Sequence, residues 1–141
     1  MDAFDADVLI YAAVPGHELG RRVRGLLPED PLPRDAPPEG LGSVLLIPEL
    51  LLKPTRDGRD DEVAALVALL ARLDLRPVDE ATAALAVALG ASYGLRAVDA
   101  VHLATAVGGG ADRFVTNNQR DFPRTITEVD VAYPSDLPDP T

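Results

Sequence analysis

Short apolar segments alternate with helix-forming segments along nearly the whole chain, and this alternation limits the possible fold more than any other feature. The apolar segments predict strands at residues 3–4, 43–47, 75–78, 113–116 and 129–132. The segments between them predict helices at residues 8–14, 17–27, 49–52, 60–73, 80–93 and 98–107. Because strands separated by helices pair in parallel, we predict an α/β fold with a mostly parallel central sheet flanked by helices.

Local signals place several of these boundaries. Residues 43–47 are almost continuously apolar, as expected of a strand that is covered on both faces. Pro48 suits the first turn of the helix that follows. Asp79 is a preferred N-cap residue for the alanine-rich helix at 80–93, and Gly94 suits its C-terminal end.

Two proline-rich segments lie outside the alternation. Residues 28–42 contain Pro28, Pro31, Pro33, Pro37 and Pro38. Since proline fixes φ and lacks an N–H donor, we predict an extended surface loop there. That loop is too near the N-terminus to separate two domains, so we predict a single domain at 1–133. The proline-rich end at 134–141 is predicted to be a loosely held tail.

Composition excludes several kinds of protein and of site. The net charge of −10 at neutral pH argues against binding nucleic acid through bulk positive charge. The chain has no cysteine, which excludes a disulfide, a thiolate metal site and a cysteine nucleophile. No apolar run is long enough to span a membrane, and the acidic N-terminus does not fit a signal peptide. A cytoplasmic protein is the expectation that remains.

Acidic and amide side chains follow the predicted strands. Asp5 and Asp7 follow the first strand, Glu49 follows the second, and residues 116–118 end the strand that the Asp99 helix leads into. Ligands of parallel sheets bind beyond the carboxyl ends of the strands, so we expect these groups at one edge of the sheet. Carboxylates without histidine or cysteine partners favour hard cations, which predicts a Mg²⁺ or Mn²⁺ site that would act on a phosphodiester.

Each acid also has a simpler explanation. Asp5 and Asp99 could be only helix N-caps, and Glu49 could only complement a helix dipole. The hypothesis of a metal site therefore depends on their joint placement. His102 lies one helical turn after Asp99, and we expect a packed histidine there rather than a metal ligand.

Four segments of the sequence resemble the PIN domain family, and in particular the VapC-type toxins. Residues 4–11 (FDADVLIY) are similar to the opening strand, acid and helix of that family, and Pro48-Glu49 stands where the family carries its glutamate. Residues 98–106 (VDAVHLATA) are very similar to its third-acid helix. Residues 110–118 (GADRFVTNN), followed by RDFP, resemble the next segment, and the block from Asp99 to Thr116 is the most specific part of the resemblance.

The resemblance implies a three-layer fold and a set of site residues. Asp5, Glu49 and Asp99 would bind the metal ion, and Thr116 would orient a substrate phosphate or a metal-bound water. Many members carry a fourth acid at the position of Asn118, which here brings no charge. Whether Asn118 or the nearby Asp121 takes over that role, and whether one or two ions bind, stays open.

The same resemblance implies a function and partners. The chain would be a Mg²⁺- or Mn²⁺-dependent endoribonuclease, the toxin of a type II toxin–antitoxin module, acting on RNA with tRNA among the candidates. Family members form homodimers and bind an antitoxin. The residues 50–52 and the helix at 60–73 are candidates for either surface.

The basic and aromatic residues leave several interpretations open. Basic residues cluster at Arg21, Arg22, Arg24, Lys53, Arg56 and Arg59, which could line an RNA path, contact an antitoxin or only be solvated. Arg96, just before the Asp99 helix, is the best single candidate for substrate contact. The three Phe and three Tyr are too few to predict a base-stacking platform.

Two other functions stay open. Residues 4–8 (FDADV) also match the opening of haloacid-dehalogenase-like phosphatases, in which Asp5 would be the nucleophile. That family needs a lysine after its second motif, whereas Lys53 precedes the corresponding strand. The other alternative is a PIN-like fold kept as a binding module with little activity, which the missing fourth acid at Asn118 favours.

Overall fold

The computed structural model describes residues 1–27 and 35–140. Its elements follow in the order β1 (Asp2–Phe4), α1 (Ala6–Ala13), α2 (Glu18–Arg24), β2 (Gly40–Ser43), α3 (Leu46–Arg56), α4 (Asp60–Leu70), β3 (Leu73–Arg76), α5 (Glu80–Tyr93), α6 (Ala97–Gly108), β4 (Arg113–Val115), β5 (Asp130–Ala132) and a 3₁₀ turn at Pro134–Asp136.

All the described strands pair in parallel, in the order β3-β2-β1-β4-β5. This confirms the predicted α/β class and its parallel sheet. The central strand β1 pairs with β4, so that Phe4 lies opposite Val115. The residues that follow these strands, Asp5 and Thr116, are therefore brought side by side at the carboxyl edge of the sheet.

Successive residues of β1 point to opposite faces and begin two separate cores. Phe4 packs with buried residues of α1 to α4 on one face of the sheet. Ala3 packs with Leu41, Phe114 and the buried faces of α5 and α6 on the other. Helices cover both faces, so the three-layer arrangement implied by the resemblance is confirmed.

The second strand does not lie where we predicted it. We expected a strand at 43–47 and a surface loop through residue 42, but β2 runs from Gly40 to Ser43 and Leu46 already belongs to α3. The reason is close packing. A Cβ atom at Gly40 would lie 2.5 Å from the ring of Phe4, and one at Gly42 would lie 2.5 Å from Cδ1 of Leu46. Glycine is required here by its neighbours, and an apolar-run criterion cannot detect such a strand.

Other elements begin or end at different residues from those we predicted, because apolar residues continue from one element into the next. Helix α4 ends at Leu70, and Leu73 opens β3 by pairing with Gly40, so the predicted helix to residue 73 and strand at 75–78 are both displaced. Helix α3 is longer than predicted because Leu46, Leu50 and Pro54, spaced one turn apart, form a buried stripe. The proline-rich segment 28–34 lies outside the described residues.

The C-terminal segment is packed, contrary to the expected loose tail. Leu137 is only 1% exposed and belongs to the core formed with α1 to α4. Nη1 of Arg22 donates to the carbonyl of Leu137 at 2.8 Å. Nη2 of Arg21 lies 3.1 Å from a carboxylate oxygen of Asp139. These two arginines therefore help to hold the C-terminal segment against α2.

Helices α5 and α6 form where we predicted them. Asp79 accepts a hydrogen bond from the amide of Thr82 at 2.8 Å, and Gly94 ends α5 with a positive φ of 66°.

In the described part of the chain, no single helix is both long and apolar enough to cross a membrane. Helices α5 and α6 reach that length only together, across a bend of 114°.

Candidate active site

Asp5 is a buried carboxylate at the point where β1 meets α1. Its Oδ1 accepts the amide hydrogen of Ala6 at 2.8 Å, which caps α1, and its Oδ2 accepts the hydroxyl of Thr116 at 2.8 Å. The residue is 5% exposed. Burial raises the pKa of Asp5, although the nearby His102 charge and these hydrogen bonds oppose the shift. Asp5 is thus both a helix cap and a desolvated acid.

The loop after β4 continues the site. Thr116 is fully buried, and its hydroxyl oxygen also accepts the amide of Asn118 at 3.1 Å. The side-chain nitrogen of Asn118 donates to Asp121 at 2.9 Å, and its oxygen accepts the amide of Asp121 at 3.2 Å. Asn118 is therefore bound to Asp121 at both ends of its amide.

Asp99 lies in the first turn of α6, beside these groups. Burial raises its pKa, and the charges of Asp5, Asp121 and Glu49 raise it further, while His102 lowers it. These interactions place Asp99 within electrostatic range of three other carboxylates. Acids from three segments that are distant in sequence thus act electrostatically on Asp99.

Glu49 reaches the site through a histidine that our sequence argument treated only as packing. Its Oε2 lies 2.5 Å from Nε2 of His102, and the histidine side chain is 1% exposed. Burial lowers the pKa of His102, but the hydrogen bond with Glu49 and the charges of Asp5, Glu49 and Asp99 outweigh it, so the pKa is raised. Nδ1 of His102 has no hydrogen-bond partner among the described residues.

Asp7 is a second unusual acid at the start of α1. Its two oxygens accept the amides of Val8 at 2.7 Å and Asn117 at 3.0 Å. Burial and the adjacent charge of Asp5 nevertheless raise the pKa of Asp7 to about 7. Asp7 therefore adds to the concentration of negative charge around Asp5 and is partly protonated at neutral pH.

The carboxylate oxygens of the site are ligands of the kind that a hard divalent cation prefers. The side chains as they stand do not enclose an ion. In residues 1–27 and 35–140, no three His, Asp or Glu side chains are grouped closely enough to hold an ion together. The charge of Asp5 nonetheless raises the pKa of Asp99, and a bound cation would relieve that repulsion. Oxygen ligands of this kind suit Mg²⁺ or Mn²⁺.

The remaining basic and aromatic side chains have different surroundings. Arg96 is the exposed N-cap residue of α6, one turn before Asp99. Arg24 donates to the carbonyl of Ala12 at 2.7 Å and so serves the fold. Tyr11 and His17 stack with ring centroids 4.5 Å apart, and the side chain of Asn117 donates to the Tyr11 hydroxyl at 3.2 Å. The aromatic count had given no sign of this ring pair.

Comparison with known proteins gives a family and a fold. A family model described as PIN domain matches residues 3–126. No curated protein matches the chain. Among solved structures, a chain from a toxin–antitoxin complex of Klebsiella pneumoniae is similar, with a TM-score of 0.72 and 22% identity over 95% of this chain and 98% of that chain.

A second solved structure has the same fold. A chain of VapBC2 from Rickettsia felis, bound to a DNA fragment from its promoter, aligns with a TM-score of 0.69 and 14% identity. The alignment covers 94% of this chain and 97% of that chain. Both similarities extend over nearly the full length, so the elements that carry the site belong to a shared fold.

Proposed function

The chain belongs to the PIN domain family, and from this membership we propose that it is a metal-dependent endoribonuclease, the toxin of a toxin–antitoxin pair. The observation that carries the proposal is the convergence of Asp5, Glu49, Asp99 and Asp121 at the carboxyl edge of the sheet. The pKa values of Asp5 and Asp99 are raised, first by burial and then by neighbouring carboxylates, and no lysine or arginine of the described residues acts on either group. Such an arrangement is unfavourable unless a cation binds there.

Asp5, Asp99 and Glu49 are the residues that would hold Mg²⁺ or Mn²⁺. When bound, the ion would activate a water and neutralise charge on an RNA phosphodiester. Thr116 fixes one oxygen of Asp5 and leaves the carboxylate a single orientation. His102 fixes Glu49 from the side of α6, so it is a positioning residue in this proposal.

Asp121 is a better candidate than Asn118 for the fourth acid. The amide of Asn118 is bound to Asp121, whereas the charge of Asp121 acts on Asp99. We therefore propose that the negative charge found at position 118 in many family members is supplied here from position 121. Asn118 then orients Asp121 and is not itself a ligand.

An antitoxin and a second copy of the chain are the proposed protein partners. One of the solved structures with this fold is described as a toxin–antitoxin complex, which supports an antitoxin. Of the three leucines considered for such contacts, Leu50 is buried in the core and Leu52 is 67% exposed, so only Leu52 offers a full surface. A toxin that cleaves RNA would act in the cytoplasm.

The test is cleavage of structured RNAs, tRNA included, by the purified protein with Mg²⁺, with Mn²⁺ and with a chelator. We expect cleavage only with the metal and a loss of at least a hundredfold in Asp5→Asn and in Asp99→Asn. Asp61→Asn, an exposed change of the same type on α4, is the matched control and should keep full activity. Cleavage that survives both site substitutions would contradict the assignment of the ligands.

The second candidate function is a binding module with little activity. The observation in its favour is Asn118, whose uncharged side chain is fully engaged by Asp121. A parent protein that binds no divalent cation and cleaves no RNA would support it. The phosphatase alternative loses its basis, because the matching family is the PIN domain.

A further inference from the structure

We propose that Lys53, Arg96 and Arg120 form a contact surface for RNA phosphates on either side of the carboxylate cluster. The proposal rests on the proposed function, since it assigns the substrate contacts of that same site. It concerns a question left by the net charge of −10, namely how an acidic protein holds a polyanion.

Most basic side chains in the described residues already have partners. Carboxylates pair with Arg21, Arg56, Arg59, Arg76, Arg113 and Arg124. Backbone carbonyls accept from Arg22 and Arg24, and Arg72 is also engaged. Within residues 1–27 and 35–140, the basic side chains without a hydrogen bond or ion pair are Lys53, Arg96 and Arg120, and all three are exposed.

Each of these three residues lies within four positions of an acid of the site along the chain. Lys53 is four residues after Glu49 on α3, so both belong to one face of that helix. Arg96 is the N-cap residue of α6, three residues before Asp99. Arg120 lies between Asn118 and Asp121 in the loop after β4. The free cations thus come from the same three elements as three of the carboxylates.

An apolar groove lies close to two of these positions along the chain. It has a volume of about 380 Å³ and is lined by Leu45, Pro48, Glu49, Leu52 and Val98. Leu52 directly precedes Lys53, and Arg96 lies two residues before Val98, so each cation is within two residues of a groove residue. An apolar surface flanked by free cations is complementary to single-stranded RNA, which offers base faces and phosphates together.

The lack of an ion-pair partner also explains why these three cations would contribute more to RNA binding than the other basic side chains. A surface arginine that is matched by a carboxylate has most of its field cancelled, whereas an unpaired cation attracts a phosphate with its full charge. At a net charge of −10 the protein repels RNA over long distances. Binding would therefore depend on a few short-range contacts, and its dependence on salt should report their number.

The test is RNA binding in chelator, where catalysis is absent, using a fluorescein-labelled single-stranded oligoribonucleotide and fluorescence anisotropy. The site variant combines Lys53→Gln, Arg96→Gln and Arg120→Gln. The control combines Arg21→Gln, Arg59→Gln and Arg124→Gln, which changes the net charge equally but removes ion-paired arginines. Circular dichroism and thermal unfolding establish that both variants are folded.

For three contacts, the logarithm of the affinity should fall with the logarithm of salt concentration with a slope of about −2, or roughly 20-fold between 50 and 200 mM. We expect a slope near zero and at least about tenfold weaker binding in the site variant, with the parent slope kept in the control. Equal losses in both variants, or unchanged binding in the site variant, would overturn the proposal.

Cleavage of the same RNA with Mg²⁺ separates this proposal from the function on which it rests. We expect the site variant to raise KM while its kcat changes little, because these side chains contact flanking phosphates. Metal-dependent cleavage with an unchanged KM in the site variant would leave the ribonuclease assignment intact and contradict the contact surface. A parent that neither binds nor cleaves RNA would contradict both.

Discussion

Asn118 and Asp121 form a two-bond pair in the loop after β4, and this pair determines where the negative charge of the loop lies. The amide nitrogen of Asn118 donates to Asp121 at 2.9 Å, so an acid at position 118 would meet a carboxylate of the same charge. The resemblance to PIN domains had directed attention to position 118. The effect of the Asp121 charge on the pKa of Asp99 directs it to Asp121 instead.

Exchanging the two side chains tests this assignment. We expect Asp121→Asn alone to lower metal-dependent cleavage roughly tenfold or more, because a carboxylate near Asp99 is lost. Asn118→Asp combined with Asp121→Asn keeps one amide facing one carboxylate and returns a charge to the loop, so it should restore most of the activity. Asn118→Asp alone should destabilise the loop by like-charge repulsion.

Initial cleavage rates at saturating Mn²⁺, with thermal unfolding of each variant, give the readout. Full activity in Asp121→Asn would show that the charge at this position is dispensable.

At this scale, neighbours in the sheet could be predicted and contacts between distant helices could not. Asp5 and Thr116 follow adjacent parallel strands, so their proximity follows from topology. The bond between Glu49 and His102 joins positions on α3 and α6, and it depends on how those helices pack. The one available signal was that His102 lies one turn after Asp99 and so shares its face of α6.

Elements with strong local signals were predictable, whereas elements defined by packing were not. Helix α5 begins after its cap at Asp79 and ends at Gly94, as the sequence indicates. Strand β2 has two glycines because Phe4 and Leu46 occupy the space where side chains would stand. The C-terminal segment reads as a proline-rich tail, yet its single leucine fills the core beneath α1 and α2.

Leu137 therefore provides a test at the scale of the element. Its side chain is 1% exposed, and Leu137→Ala should lower the free energy of unfolding by about 2–5 kcal/mol through lost burial and a cavity. Leu52→Ala is the matched control, since Leu52 is 67% exposed and should change stability by less than about 0.5 kcal/mol. Urea unfolding followed by circular dichroism measures both. Equal effects would mean that the tail does not contribute to the core.

Across the described part of the molecule, several exposed acids form ion pairs, whereas Asp5, Asp7 and Asp99 at the carboxyl edge of the sheet do not. Exposed acids such as Asp112 and Asp136 are paired, and their pKa values are lowered by their partners. At the carboxyl edge, burial and mutual repulsion raise the pKa values of Asp5, Asp7 and Asp99. The fold thus keeps a local excess of negative charge that costs stability at neutral pH, which is characteristic of a functional site.

This excess predicts how stability depends on pH without metal. Asp7 has a folded pKa of about 7 and an ordinary pKa of 3.8, so between these values the folded chain binds more protons than the unfolded chain. The pKa of His102 is raised above 6.5, so its stabilising contribution is lost as the pH rises through that folded value. Both effects have the same sign, and the free energy of unfolding in chelator should fall from pH 5.5 to 8.

Divalent metal should reverse this dependence. A cation that binds the folded carboxylates competes with protons for them, so its stabilising effect should grow as the pH rises and exceed that of NaCl at equal ionic strength. Each proton displaced changes the slope by about 1.4 kcal/mol per pH unit. Asp99→Asn should be more stable than the parent in chelator, because one repelling charge is gone, and should gain little from Mg²⁺. Urea unfolding at several pH values measures these differences. An equal gain from Mg²⁺ in Asp99→Asn and in the parent would place the cation elsewhere and leave the raised pKa values of the cluster without a function.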